Sequence, residues 1–185
     1  MVEQVFSLDD QKKLLQWARQ SIEEGLHISK ATMLLEIEKN PKFKEFRGVF
    51  VTLKKGGHLR GCIGFPYATS YLYKNVAEAA RAAAIEDPRF LLVTKEELKN
   101  IKIEISVLTK PEKVTSVRDI TIGKDGLMCK FMSASGLLLP QVAREFALNK
   151  IEFLEALCDK AQLPKGTWQQ RGFELFKFQA QIFSE

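Results

Sequence analysis

Apolar residues recur at helical spacing between Ser7 and Gly25, at Leu14, Leu15, Ala18 and Ile22, which predicts an amphipathic helix. Ser7, with Asp10 three positions on, reads as its N-terminal cap, and Gly25 as its stop. A second helix is expected from Ser29 to about Lys39, with Met33, Leu34 and Ile37 inward and Pro41 barring extension. From Gly48 to Lys55 the chain is rich in β-branched and aromatic residues and reads as a strand. Gly56-Gly57 then signals a tight hairpin, whose return strand runs from His58 to about Phe65, where Pro66 ends it.

An alanine-rich helix is expected over Asn75 to Glu86, ended by Asp87-Pro88. Thr94 with Glu97 forms a capping box for one short turn. Ile101, Ile103, Ile105 and Val107 alternate with polar partners as in a half-buried strand. Hairpin strands are expected between Ile120 and Leu139, with turns at Lys124-Asp125-Gly126 and Ser133-Ala134-Ser135-Gly136. Pro140 can open a helix, another helix covers about Glu152 to Ala161, and Phe173 to Phe183 reads as one closing strand. Strands thus cluster in hairpins instead of alternating with helices, which predicts an α+β fold with a mostly antiparallel sheet covered by helices.

The 185 residues suit one domain, or one domain with two lobes. The first residues lack the basic and apolar segments of a secretory signal, and no apolar run is long enough to span a membrane. Cys62, Cys129 and Cys158 are odd in number and far apart, which argues against a disulfide framework and for a reducing, cytoplasmic setting. The net charge of +5 is spread among acidic neighbours, so the pattern weighs against a membrane or a nucleic acid as partner. With two histidines and no Cys-x-x-Cys or His-Glu-x-x-His spacing, no metal site is expected. No motif specifies a cofactor.

The chemistry is most concentrated at Leu59-Arg60-Gly61-Cys62-Ile63-Gly64. An unbroken two-residue hairpin would set Leu53 opposite Arg60 and Val51 opposite Cys62. Arg60, Cys62 and Gly64 would then share one strand face, with Leu59, Gly61 and Ile63 on the other. A guanidinium on the face of a thiol favours the thiolate. Gly61 and Gly64 are poor strand residues of the kind that mark a bulge or a close approach. The next concentration is Glu86-Asp87-Pro88-Arg89-Phe90, where two carboxylates sit at the unfavourable end of a helix dipole and call for Arg89 or Arg60 as partner. In a functional reading Cys62 is nucleophile or ligand contact, Arg60 its anion-binding neighbour, and Glu86 or Asp87 the acid/base group. In a structural reading Cys62 fills core and the carboxylates cap a solvated helix end.

The hexapeptide resembles the signature of the AMMECR family, also called AmmeMemoRadiSam system protein A. The resemblance extends to Gly48-Val49-Phe50-Val51-Thr52-Leu53, to Ala79 through Phe90, to Ile105-Ser106-Val107-Leu108-Thr109, to Leu139-Pro140-Gln141-Val142-Ala143 and to Cys158-Asp159-Lys160-Ala161, nearly the whole chain. Leu91-Leu92 and Gln162 depart from it, standing where the family has two prolines and a glycine. The resemblance implies an α+β domain with a larger and a smaller lobe, the signature near a cleft between them, and an intracellular role. Three readings follow. The first is an enzyme or small-molecule-binding protein, with Leu59, Gly61, Ile63, Gly64, His58 and Arg89 lining the site around Cys62. The second is an interaction module acting with Memo-type and radical SAM proteins. Nucleic-acid binding is the third and rests on mild basicity alone.

Overall fold

The computed structural model describes residues 5–67 and 70–185. Its chain divides into two compact units. One carries the chain through Leu108 and takes up Gln181–Glu185; the other is Thr109–Ala180.

In the first unit, helix α1 (Leu8–Gly25) opens with a reciprocal capping box between Ser7 and Asp10. Strands β1 (Val49–Lys55) and β2 (His58–Phe65) form a hairpin. Gly56 and Gly57 both take positive φ at its turn, as a primed turn requires. Helix α3 (Leu72–Ile85), strand β3 (Ile101–Leu108) and the closing strand β8 (Ala180–Ser184) complete a sheet of order β2-β1-β3-β8. β1 runs antiparallel to both β2 and β3. Val49, Val51 and Leu53 align with Val107, Ile105 and Ile103 on one face, and all six are buried in one core with Leu14, Ala18 and Ile22 of α1 and Val76, Ala80 and Ala83 of α3. The alanines let α3 lie close on the sheet. Short helices α2 (Leu34–Ile37) and α4 (Lys95–Leu98) flank this core; Thr94 Oγ1 accepts from the Glu97 N–H, while the Glu97 carboxylate turns to Arg60 and Lys55 instead of completing the expected capping box.

The second unit pairs strands β4 (Glu112–Lys113), β5 (Gly126–Phe131), β6 (Ala134–Leu138) and β7 (Glu174–Phe178) in the order β4-β7-β5-β6, all antiparallel. Helix α5 (Pro140–Glu145) starts on its proline, and α6 (Lys150–Lys160) on a capping box of Asn149 and Glu152. Their apolar sides bury Ala143, Phe153, Leu154 and Leu157 against Leu127 and Cys129. Cys129 and Cys158 are both core residues, and burial pushes both thiols up.

The α+β class read from the pattern is the class observed. Four elements differ from expectation. The turn expected over Ser133–Gly136 is tighter, because Ala134, Ser135 and Gly136 already pair with β5 as part of β6. The second helix is only α2, because the amides of Thr32 and Met33 donate to the Gln20 side chain at 3.0 and 3.1 Å instead of entering a helix. The closing alternation is two strands in two sheets. Gln179 separates them, its N–H donating to Thr109 Oγ1 at 2.9 Å and its carbonyl accepting from Thr109 N–H at 2.8 Å. Ile120–Asp125 is a turn and not a strand, closed by the Asp125 carboxylate accepting from Thr121 N–H at 2.8 Å.

Candidate functional site

The hexapeptide occupies β2, at the edge of the first sheet. Its register slips by one residue between Leu53 and Lys54: Lys54 pairs with Leu59, but Leu53 pairs with Gly61. Arg60 is the extra residue of a β-bulge, which bends the strand and resets its alternation. Cys62 therefore lies opposite Thr52 and not Val51, and Gly64 lies opposite Phe50 and not Val49. The unbroken register expected from Gly56-Gly57 is corrected accordingly.

The consequences are chemical. Thr52 Oγ1 donates to Cys62 Sγ at 3.3 Å, and Cys62 is partly exposed. Gly61, on the core face, meets α3: a Cβ built there would stand 2.1 Å from the Ala83 carbonyl oxygen. Gly64 lies under the Phe50 ring, whose nearest atom would be 2.2 Å from a Cβ. Each glycine marks a close approach, as its poor strand propensity foretells. Ile63 packs against the core, His58 is exposed beside the hairpin turn, and Leu59 is exposed.

Arg60 is not brought to the thiol. The bulge sends its guanidinium to α4, where Nε and Nη2 fork onto Glu97 at 2.8 and 2.9 Å. Nη2 also reaches the Leu92 carbonyl at 3.3 Å, while Nη1 is buried with no hydrogen-bond partner among the described residues. Both partners are mostly buried. Arg60, with Lys55 beside it, holds the Glu97 carboxyl down at about 2. The sequence marks Glu97 as a capping residue but gives no signal for this pairing, which spans 37 positions.

Asp87 is brought to Cys62, but to its backbone. As an edge strand, β2 has amide groups facing away from β1 that need partners. The Cys62 N–H donates to Asp87 Oδ2 at 2.8 Å, and its carbonyl accepts from Arg89 Nη2 at 3.1 Å. Arg89 in turn forks onto Asp87, Nε to Oδ1 at 2.9 Å and Nη2 to Oδ2 at 2.7 Å. The Asp87–Arg89 pair thus stands where a further strand would pair. Asp87 is buried, and Arg89 holds its carboxyl far below the usual range, helped by the Cys62 amide. The Phe90 ring centroid lies 5.9 Å from the Arg60 guanidinium carbon and 5.4 Å from that of Arg89. Glu86 is exposed at the α3 C-cap and its side chain makes none of these contacts. Of the two cationic partners the sequence offers for the carboxylates, Arg89 takes Asp87 and Arg60 takes neither.

Among the described residues no group of three or more His, Cys, Asp or Glu side chains could hold a metal ion, and no helix is long and apolar enough to cross a membrane.

Fold and site together define an α+β protein in which a glycine-flanked cysteine on a bulged edge strand is braced by an Asp-Pro-Arg-Phe turn. The chain belongs to the AMMECR1 family, whose model matches residues 15–183. A protein of Methanothermobacter thermautotrophicus is 45% identical over 185 residues, covering 97% of this chain and 96% of its own length. A protein of Methanosarcina mazei is 46% identical over 154 residues, 80% of this chain and 77% of its own. The crystal structure of an uncharacterised Pyrococcus horikoshii protein matches with a TM-score of 0.87 at 38% identity, covering 97% of this chain and 93% of that one.

Proposed function

We propose that the protein binds a small molecule on the outer face of the first sheet, with the Cys62 thiol as a contact group and without acid–base chemistry from Arg60, Glu86 or Asp87. One observation carries this reading. The charged residues around Cys62 are committed to structural ion pairs, Arg60 with Glu97 and Asp87 with Arg89, while Cys62 stays partly exposed beside the Thr52 hydroxyl. A general base must reach the proton it abstracts, and the Asp87 carboxylate faces the Cys62 amide instead.

Alkylation of Cys62 tests the reading. Arg60→Gln is expected to leave the rate of iodoacetamide labelling at Cys62 unchanged, followed by mass spectrometry in a Cys129→Ala, Cys158→Ala background. A tenfold or greater fall would mean that the guanidinium activates the thiolate, and the contact role would give way to that of a nucleophile.

A second reading, an interaction module acting with Memo-type and radical SAM proteins, is favoured by a separate feature. Leu59, Leu91 and Leu92 are all exposed, and the Leu92 carbonyl is tied to Arg60. Exposed apolar side chains gathered this way mark partner surfaces. On this reading Leu91→Glu weakens co-purification with such partners and leaves Cys62 labelling untouched; co-purification at the wild-type level removes it.

A further inference from the structure

A second surface lies at the other end of α3, about 20 Å from the Asp87–Arg89 pair by the rise of a 14-residue helix. Phe46 and Tyr71 form an isolated antiparallel bridge, fixed by the Leu72 N–H donating to the Glu45 carbonyl at 2.9 Å. Their rings meet edge to face at 5.2 Å, and Tyr71 stacks on Tyr73 at 6.1 Å and 19°. Tyr73 is anchored from below, its hydroxyl donating to Glu38 at 2.7 Å. The outer two rings stay open to solvent, Phe46 at 53% and Tyr71 at 37%.

Cations accompany the rings. Lys74 Nζ lies 5.7 Å from the Tyr71 centroid and 5.9 Å from that of Tyr73. Lys44, two residues before Phe46, is exposed. Of the acids nearby, Glu45 is paired with Arg47, Glu38 accepts from the neutral Tyr73 hydroxyl, and Glu78, one helical turn from Lys74, is exposed. In the sequence these aromatic residues look scattered; the bridge between residues 46 and 71 sets Phe46 beside Tyr71, Tyr73 and Lys74.

We infer that this rung of rings binds single-stranded nucleic acid, with bases stacking on Phe46 and Tyr71 and backbone phosphates meeting Lys44 and Lys74. Stacking on aromatic side chains suits any base, and lysines beside the rings suit the phosphate backbone without reading sequence. An acidic protein partner would use the two lysines but leave the two exposed rings unexplained. A rigid, pre-paired platform loses little freedom when a base settles on it.

The test is fluorescence anisotropy with a fluorescein-labelled oligouridine, alongside duplex DNA of equal length and a polyglutamate peptide. The single strand is expected to bind, to weaken as salt rises, and to lose about tenfold in affinity in Phe46→Ala and again in Tyr71→Ala. Lys74→Glu should weaken binding and flatten its salt dependence. Thermal melts by circular dichroism check that each variant is folded. If an alanine variant is not, Phe46→Leu and Tyr71→Leu keep the bulk and remove the ring. The inference is overturned if the oligouridine does not bind at low salt, if folded ring variants bind as wild type does, or if duplex or polyglutamate binds as tightly. None of these outcomes bears on Cys62, so the two surfaces stand or fall separately.

Discussion

Gly61→Ala is expected to destabilise the protein by about 3 kcal/mol, the upper part of the range for overpacking a close contact. A methyl group there would stand 2.1 Å from the carbonyl oxygen of Ala83 and 3.1 Å from its carbonyl carbon. That obstacle is helix backbone. It moves only if α3 lifts, and α3 is packed by Ala79, Ala80 and Ala83, all buried. For a chain of this length the cost corresponds to a fall in melting temperature of about 6–12 °C. Gly64→Ala is the control. Its methyl would meet the Phe50 ring at 2.2 Å, but a partly exposed side chain can swing aside, so the cost there is expected to be about 1 kcal/mol. Equal melting temperatures for the two variants would mean that the strand–helix contact is softer than the geometry states. Lifting α3 would also carry Asp87 away from the Cys62 amide, so Gly61→Ala should loosen the site as well as the fold.

This dependence on one backbone approach explains which parts of the site can be read from the residues alone. The strand, the glycine turn, the alanine helix and its stop at Asp87-Pro88 are local patterns, and all are present. Gly61 and Gly64 stand out because glycine is costly within a strand, and both prove to be points of contact. What local pattern does not contain is the bulge at Arg60. Gly56-Gly57 fixes the register at Lys55 and His58 as expected, but one extra residue further on turns Cys62 toward Thr52 and frees Arg60 for α4. A period of two does not survive an insertion of one. Nor does it choose between Glu97 and the Glu86-Asp87 pair as the partner of Arg60, because that choice rests on where α4 docks. The same limit applies to the Phe173 to Phe183 alternation, which is continuous in sequence yet crosses from one sheet to another at Gln179.

Asp87 is where an acid titration should report on the site. Its side chain is 2% exposed, against 55% for Arg89, and its carboxylate accepts from the amides of Cys62 and Arg89 and from the Arg89 guanidinium. Asp87→Asn keeps the shape but turns an amide donor toward donors, leaving at least one buried group unpaired. The expected cost is about 2 kcal/mol, below that of a fully buried pair because Arg89 is half in water. The pH dependence has a definite sign. The folded-state pKa of Asp87 is depressed, and that of Glu97 is held at about 2, so both carboxylates bind protons more weakly in the folded chain than in the unfolded one. Their stabilisation is complete above the unfolded values, about 3.9 and 4.3, and is lost as pH falls through the folded ones. Urea midpoints measured from neutral pH downward should therefore stay flat to about pH 5 and then drop. Asp87→Asn should start lower and drop less steeply, and Asp87→Asn with Glu97→Gln should be shallower still. An acid slope in Asp87→Asn equal to that of the wild type would show that the carboxylate is not the charged brace of Cys62.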